Sequence, residues 1–284
     1  LRGIPGKLSS VNTKTSPGFP LIKTRIQPGK KDHVWFDQKG ELHYTAVFAQ
    51  MVEQFLEDMG DGKIRHNVWL AALKDELQAP HKIDQCRTRT VYAGDFVATV
   101  AFRMVFGSIL CAFNSAHDYT PMAIGLNQFS YDMDVMYEYL SEYGDQFVAG
   151  DYKSFDKFVN GEFQRQAYLM IKQIAGDLVT EKEFEFFFEH QAKSEIWYDK
   201  WKITPIVGHM SGCIFTTVVG SLINEGYMRY MFAKLNPGKY FDDFVKAKFL
   251  IDDHVLGVKK GCVFSPGDLM DNMGMLGQIY TDDK

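Results

Sequence analysis

Two acid-bearing segments about a hundred residues apart constrain this chain more than anything else in it. AGDYKSFD, residues 149–156, sets Asp151 just beyond an apolar strand at 146–149, with Asp156 five residues further on. KFLIDDHV, residues 248–255, sets the adjacent pair Asp252 and Asp253 after a second strand at 245–251. In that strand Val245, Ala247, Phe249 and Ile251 recur with the period of two that marks a β-strand, and 255–258 reads as its partner across the Asp252-Asp253 turn. One carboxylate plus an adjacent pair, each at a strand end, is a set of hard oxygen donors for divalent metal ions.

Composition narrows the class. The chain has 284 residues, enough for one large or two small domains with an ample core, and its 46% hydrophobic content is that of an ordered globular protein. Net charge is −5, so the whole chain does not advertise a polyanionic partner. Residues 1–39 nevertheless carry eight Lys and Arg against Asp32 and Asp37, a net +6, which leaves −11 on the remainder. A basic arm beside an acidic body suits a nucleic-acid path next to a metal site, and equally a solvated basic face. Cys86, Cys111, Cys213 and Cys262 are widely spread, which indicates neither zinc nor a disulfide framework and fits a reducing compartment. No signal peptide is evident. The most apolar run, 96–113, contains Arg103, Gly107 and Ser108 and reads as a buried helix, not a membrane span. A chain that opens on Leu1 and stops at Lys284 within a motif is expected to be a piece of something longer.

Residues 1–40, rich in Gly, Pro and Lys, read as extended loop. A helix is expected over 43–59, with Val47, Phe48, Met51, Val52, Phe55, Leu56 and Met59 on one face and Gly60 ending it. Residues 68–93 are basic and mixed. Helices are expected at 95–115, 131–143, 161–175 and 212–235, and another to about 190 after the capping box of Thr180 and Glu183. Ile196–Ile203 reads as a hairpin turning at Asp199-Lys200. Helices interleaved with a few antiparallel strands give an α+β class.

Three further stretches carry chemistry. GHMSGCIFTTVVGSLIN, residues 208–224, places Ser211-Gly212 at a loop entering a helix, with Thr216 one turn in. Glycine permits close backbone approach to a nucleotide, and hydroxyls bond ribose or base edges. KDELQAPHKIDQCRTR, residues 74–89, gathers Lys82, Arg87 and Arg89 into a cationic cluster able to hold a triphosphate. TSPGFP, residues 15–20, is a Pro-Gly turn. Each has an ordinary reading as a cap, a surface patch or a loop. With the acids, they point to nucleotidyl transfer, in which two metal ions activate a 3′ hydroxyl and stabilise a leaving pyrophosphate.

The order and spacing of these segments resemble the RNA-dependent RNA polymerases of picorna-like positive-strand RNA viruses. TSPGFP resembles motif G, KDEL…HKIDQCRTR motif F, GDYKSFD motif A, SGCIFTT…N motif B, FLIDDHV motif C and GQIYTDDK motif D. The resemblance spans nearly the whole chain. It implies a right-hand polymerase fold with an antiparallel palm sheet, fingers mostly in 1–144, palm mostly in 145–284 with a fingers insertion near 180–207, and the thumb missing. It implies that Asp151 and Asp252, supported by Asp253, bind two Mg²⁺ or Mn²⁺ ions, and that Asp156 senses the ribose 2′ hydroxyl. By the same resemblance Lys82, Arg87 and Arg89 hold the triphosphate, Ser211 and Thr216 shape the ribose pocket, and Ser16 and Gly18 line the template path. Lys284 is the general acid for the departing pyrophosphate. The implied partners are an RNA template and primer, ribonucleoside triphosphates, a protein primer and other replication proteins, with no transmembrane segment in the chain. The implied setting is membrane-associated replication complexes in the host cytoplasm.

The chain departs from the family's pattern at three places. Ile251 stands where motif C usually has glycine, and a β-branched residue crowds a tight turn. Gly220 stands where motif B usually has asparagine, with Asn224 one helical turn on. Gln78 follows KDEL where arginine is frequent. Two other readings accompany the first. A reverse transcriptase shares the palm and varies before its two aspartates, but usually carries an aromatic gate where Asp156 stands, and NTP against dNTP incorporation separates the two. A degenerate, non-catalytic remnant would account for departures clustered in motifs B and C.

Overall fold

The computed structural model describes residues 1–204 and 208–282. Along the chain it runs β1 (Val34–Phe36), β2 (Leu42–Tyr44), α1 (Ala46–Asp61), β3 (Asn67–Leu73), α2 (Pro80–Asp84), β4 (Thr90–Ala93), α3 (Phe96–Phe113) and α4 (Asp132–Leu140). It continues with β5 (Phe147–Tyr152), α5 (Phe155–Phe158), α6 (Gly161–Ala175), α7 (Glu181–Ala192), β6 (Ser194–Tyr198), β7 (Trp201–Ile203), α8 (Thr216–Leu235), β8 (Val245–Leu250), β9 (Asp253–Val258), α9 (Pro266–Asn272) and β10 (Tyr280–Thr281). These elements form two compact units. The first is Leu1–Gly107 with Ala175–Ile206 and Met210–Ile214, and the second is Ser108–Ile174 with Val207–His209 and Phe215–Lys284.

In the first unit, α1 begins at Ala46 and not at 43, because Leu42–Tyr44 pair with Val34–Phe36 as a hairpin. Thr45 caps the helix, its hydroxyl accepting from the Phe48 N–H at 3.2 Å. The helix passes through Gly60 and stops at Gly62, whose left-handed φ of 72° turns its N–H back onto the Asp58 and Met59 carbonyls. Phe48, Val52, Phe55 and Met59 are buried, while Val47 and Met51 are exposed, so the apolar stripe is narrower than the sequence suggests. Phe55 meets Phe102 and Phe186 edge-on at 5.5 Å, and Phe102 meets Phe187 at 4.8 Å. The Thr180–Glu183 capping box opens α7 as expected. The unexpected elements are β3 and β4. Asn67, Val68 and Trp69 are buried in succession, so β3 lacks the alternation that reveals a strand. Its sheet runs β4-β3-β6-β7, with β3 parallel to β6 and the β6–β7 hairpin turning at Asp199-Lys200 as expected.

The second unit is built on an antiparallel sheet in the order β10-β5-β9-β8. Helix α8 is buried without a break from Val218 to Asn224 and again at Tyr227, Met228, Met231 and Phe232, while Tyr230, Ala233 and Lys234 near its end are exposed. It starts at Thr216, not at 212; Ser211 and Gly212 belong to the preceding loop. Strand β5 extends through Tyr152, beyond its expected end, because β10 pairs with it there, Tyr280 opposite Tyr152 and Thr281 opposite Asp151.

Helix α3 is long and apolar enough to cross a bilayer, and 61% of it is buried within the protein. All four cysteines are free thiols.

Candidate active site

The register of the second unit's sheet brings the acids to one edge. Gly150 lies opposite His254 in the β5–β9 ladder, and one further step in the same register sets Asp151 opposite Asp253. Leu250 pairs with Asp253 across the β8–β9 hairpin, so Ile251 and Asp252 form its two-residue turn. Such a turn needs positive φ, and Ile251 supplies it at 58°, an uncommon conformation for a β-branched residue. The expectation that Ile251 belongs to the strand is therefore corrected: it is a turn residue. The side chains of β5 alternate, with Val148, Gly150 and Tyr152 buried and Asp151 on the opposite, half-buried face. Asp252 is half-buried and Asp253 exposed.

The donor chemistry fits a hard divalent cation, since all three groups are carboxylates. Among the described residues, however, no three His, Cys, Asp or Glu side chains stand close enough to hold an ion.

Helix α8 holds the turn. A Cβ on Gly220 would meet Ile251 Cγ2 at 2.8 Å and Ile251 Cα at 3.3 Å, so the missing side chain makes room for the isoleucine. Ser221 Oγ accepts from the Ile251 N–H at 2.9 Å and donates to the Thr217 carbonyl at 2.8 Å. Asn224 Nδ2 donates to the carbonyls of Ile251 and Asp252 at 3.0 Å and of Asp253 at 3.2 Å. Its Oδ1 accepts from the Tyr152 hydroxyl at 3.0 Å. Beneath the same edge, Tyr280 and His254 share a 2.7 Å hydrogen bond, and any Cβ on Gly150 would overlap the Tyr280 hydroxyl. Burial pushes the Tyr152 phenol up, aided by Tyr280, Tyr227 and Asp252. Burial also pushes Tyr280 up, with Asp151 and Asp282 adding to it.

Asp156 is the second residue of the short helix α5, which follows Ser154 at φ 62°, and it is exposed. Its carbonyl accepts from the His209 N–H at 2.8 Å. The His209 ring lies 3.0 Å from the Thr216 carbonyl through Nε2 and 3.3 Å from the Gln164 amide through Nδ1. A carbonyl only accepts, so Nε2 carries the proton and Nδ1 accepts from Gln164. Burial lowers the imidazole pKa, which keeps this neutral tautomer. One buried histidine thus joins the two segments that bear Asp156 and Thr216. His209 does not stand out in the sequence, and Asn224 appears there only as an asparagine one helical turn beyond the position where motif B usually has one. The signal available for Asn224 is an amide directly after the run from Val218 to Ile223, which is apolar apart from Ser221.

The remaining expected residues lie in the first unit. Lys82, on α2, and Arg87 are exposed, and the Arg87 N–H bonds the Lys82 carbonyl at 2.8 Å, closing the loop that carries both. Arg89 is exposed and 3.8 Å from Glu76, which Lys74 also pairs at 2.6 Å and to which Gln78 donates at 2.8 Å. The Lys74 ammonium holds the Glu76 carboxyl below its usual range. Ser211 is exposed, and Gly212 packs so tightly that a Cβ would meet the Trp69 ring at 2.6 Å and the Tyr92 carbonyl at 2.7 Å. Ser16 Oγ accepts from the Gly18 N–H at 3.2 Å. Gly18 is buried at φ 70°, against the Gly94 carbonyl. Lys30 of the basic arm is buried, bonded to the Asn12 and Thr15 carbonyls at 3.2 Å, and burial lowers its pKa to about 8. That lysine is not part of a solvated face. Lys284 lies outside the described residues.

Residues 5–284 match the family described as viral RNA-dependent RNA polymerase. The chain belongs to that family. It is 25% identical over 299 residues to the replicase polyprotein of acute bee paralysis virus (strain Rothamsted), covering 97% of this chain and 15% of that polyprotein. It is 25% identical over 298 residues to the genome polyprotein of human hepatitis A virus genotype IB, covering all of this chain and 12% of the polyprotein. Among solved structures, the Sicinivirus 3Dpol RNA-dependent RNA polymerase aligns over the whole chain with a TM-score of 0.79 at 19% identity. The chain spans 57% of that polymerase. That likeness gives the right-hand polymerase fold with mixed α/β content.

Proposed function

We propose that this chain carries the catalytic core of template-directed RNA synthesis, adding ribonucleoside triphosphates to an RNA 3′ end during viral genome replication. The observation that supports the reading is the sheet register, which sets the end of β5 bearing Asp151 beside the β8–β9 turn bearing Asp252 and Asp253, within a chain of this family. On this reading the first compact unit corresponds to fingers and the second to palm, with 108–144 grouped with the palm.

Asp151 and Asp252, with Asp253 beside them, would hold two divalent cations, Mg²⁺ or Mn²⁺, which when bound supply the charge that activates a 3′ hydroxyl and stabilises pyrophosphate. The chain's own groups do the positioning. Lys82, Arg87 and Arg89 clamp the triphosphate through charge-assisted hydrogen bonds. Asp156 accepts from the ribose 2′ hydroxyl, with Ser211 and Thr216 shaping the pocket around it. Lys284 donates a proton to the departing pyrophosphate. Ser16 and Gly18 border the template strand. Holding the reactants in line accounts for much of the acceleration expected of such a site. The partners are an RNA template and primer and ribonucleotides, with a protein primer and other replication proteins in the host cell.

The test is ribonucleotide incorporation on an annealed RNA template and primer, NTP against dNTP. Template-dependent NTP addition supports the reading. A preference for dNTP would transfer it to reverse transcription.

A further inference from the structure

Asn224 is completely buried in α8, yet its amide is hydrogen-bonded at both its nitrogen and its oxygen. One primary amide serves three consecutive carbonyls, of Ile251, Asp252 and Asp253. Three successive carbonyls converge on one donor group only where the backbone turns sharply, and the left-handed Ile251 makes that turn. Ser221, three residues earlier on the same helix face, fixes the Ile251 N–H. On its other side Asn224 accepts from Tyr152, the residue that follows Asp151. Neighbouring side chains of a strand point to opposite faces, so Tyr152 reaches down to α8 while Asp151 faces the site.

We infer that Asn224 is the positioning residue of the carboxylate site: it ties the Asp252-Asp253 turn to the Asp151 strand through one side chain and so sets the spacing of the three acids. This rests on the nucleotidyl-transfer reading above. The amide is suited to the task because it carries a donor and an acceptor at one end. Aspartate would lose the donors and leucine both functions. Asn224 acts through the backbone carbonyls of the turn and the Tyr152 hydroxyl, much as partners behind metal ligands commonly set affinity.

The experiment is a titration of the 284-residue chain with Mn²⁺ alone, free ion being read by electron paramagnetic resonance and the fold by circular dichroism. Wild type, Asp252→Asn, Asn224→Leu and Tyr152→Phe are compared. Asp252→Asn is expected to abolish the tighter binding. Asn224→Leu is expected to weaken it about tenfold at unchanged stoichiometry. A merely structural role would instead lower the folded, binding fraction and leave the dissociation constant alone. Should Asn224→Leu fail to fold, Tyr152→Phe decides, since it removes one oxygen and leaves the packing. It is expected to weaken binding about threefold, less than full loss of such a partner. Folded Asn224→Leu and Tyr152→Phe that bind like wild type, beside a weakened Asp252→Asn, would overturn the inference and leave the metal reading intact. Wild-type binding by Asp252→Asn would overturn the metal reading and this inference with it.

Discussion

Ile251 Cγ2 lies 2.8 Å from the point where a Cβ on Gly220 would stand. The two residues that depart from the family's motif C and motif B patterns are therefore in contact, and each accommodates the other. An isoleucine at φ 58° needs space on the helix side of the turn, and the helix provides it by carrying glycine. Independent decay of two motifs does not by itself produce a fitted pair.

This contact predicts a sign reversal. Alanine normally improves on glycine inside a helix by ~1 kcal/mol. Gly220→Ala is expected instead to destabilise the chain by about 1–3 kcal/mol, because the new methyl meets Ile251 backbone as well as side chain. In an Ile251→Gly background the same change is expected to be neutral or stabilising. Urea melts of the four proteins check this, and additive effects would show that the pair is uncoupled.

His209 ties together the segments that bear Asp156 and Thr216, which on the proposed reading face the ribose. His209→Leu keeps volume but removes the Nε2 hydrogen bond to the Thr216 carbonyl, which costs about 1 kcal/mol. Because Asp156 and Thr216 lose a shared support, NTP over dNTP selectivity is expected to fall more than kcat for NTP. Single-nucleotide extension with both substrates measures the ratio.

Acid is expected to destabilise the first unit through His190. Burial among Phe55, Phe102 and Phe186 lowers its pKa to about 4, from an ordinary value of 6.5. The unfolded chain thus binds more protons between those two values, so stability falls as pH drops through that window, by about 3 kcal/mol in total. Asp95 acts in the opposite sense. Burial raises its pKa to about 6, so the folded state binds more protons there and gains stability as pH falls from 6. The difference between wild type and His190→Phe in urea stability isolates the histidine. It should shift against wild type from pH 7 to pH 4, and a constant difference would refute the assignment.

Lys82 and Arg87 are expected to act on substrate binding. Lys82→Ala and Arg87→Ala should raise KM for NTP about tenfold each while leaving fold stability within about 0.5 kcal/mol, since both side chains are exposed. Steady-state kinetics together with thermal melts check both halves.

The sequence shows the acids, the order of the motifs and most helices because those features are local. Thr180 with Glu183, and the alternation of Val245, Ala247 and Phe249, announce themselves through capping and period. The start of α1 was hidden because Leu42–Tyr44 pair with a strand that the loop-like composition of 1–40 conceals. The β3–β4 pair was hidden because its burial is consecutive, and because β3 is completed by β6, more than a hundred residues away. The full length of β5 depends on β10 in the same manner. At the site, His209 carries no sequence signal and Asn224 reads only as an asparagine one turn beyond the family's position, because their meaning lies in backbone carbonyls, which no spacing rule exposes. Gly220 and Ile251 looked like two faults in the sequence and become one contact in the fold.

The most direct test of the central claim is single-turnover addition of one nucleotide to a template-annealed RNA primer, comparing wild type with Asp252→Ala. The account predicts template-dependent addition by wild type and loss of at least about a thousandfold in Asp252→Ala with the fold retained, because a carboxylate that would hold the cation is gone. Addition by Asp252→Ala at the wild-type rate would contradict it.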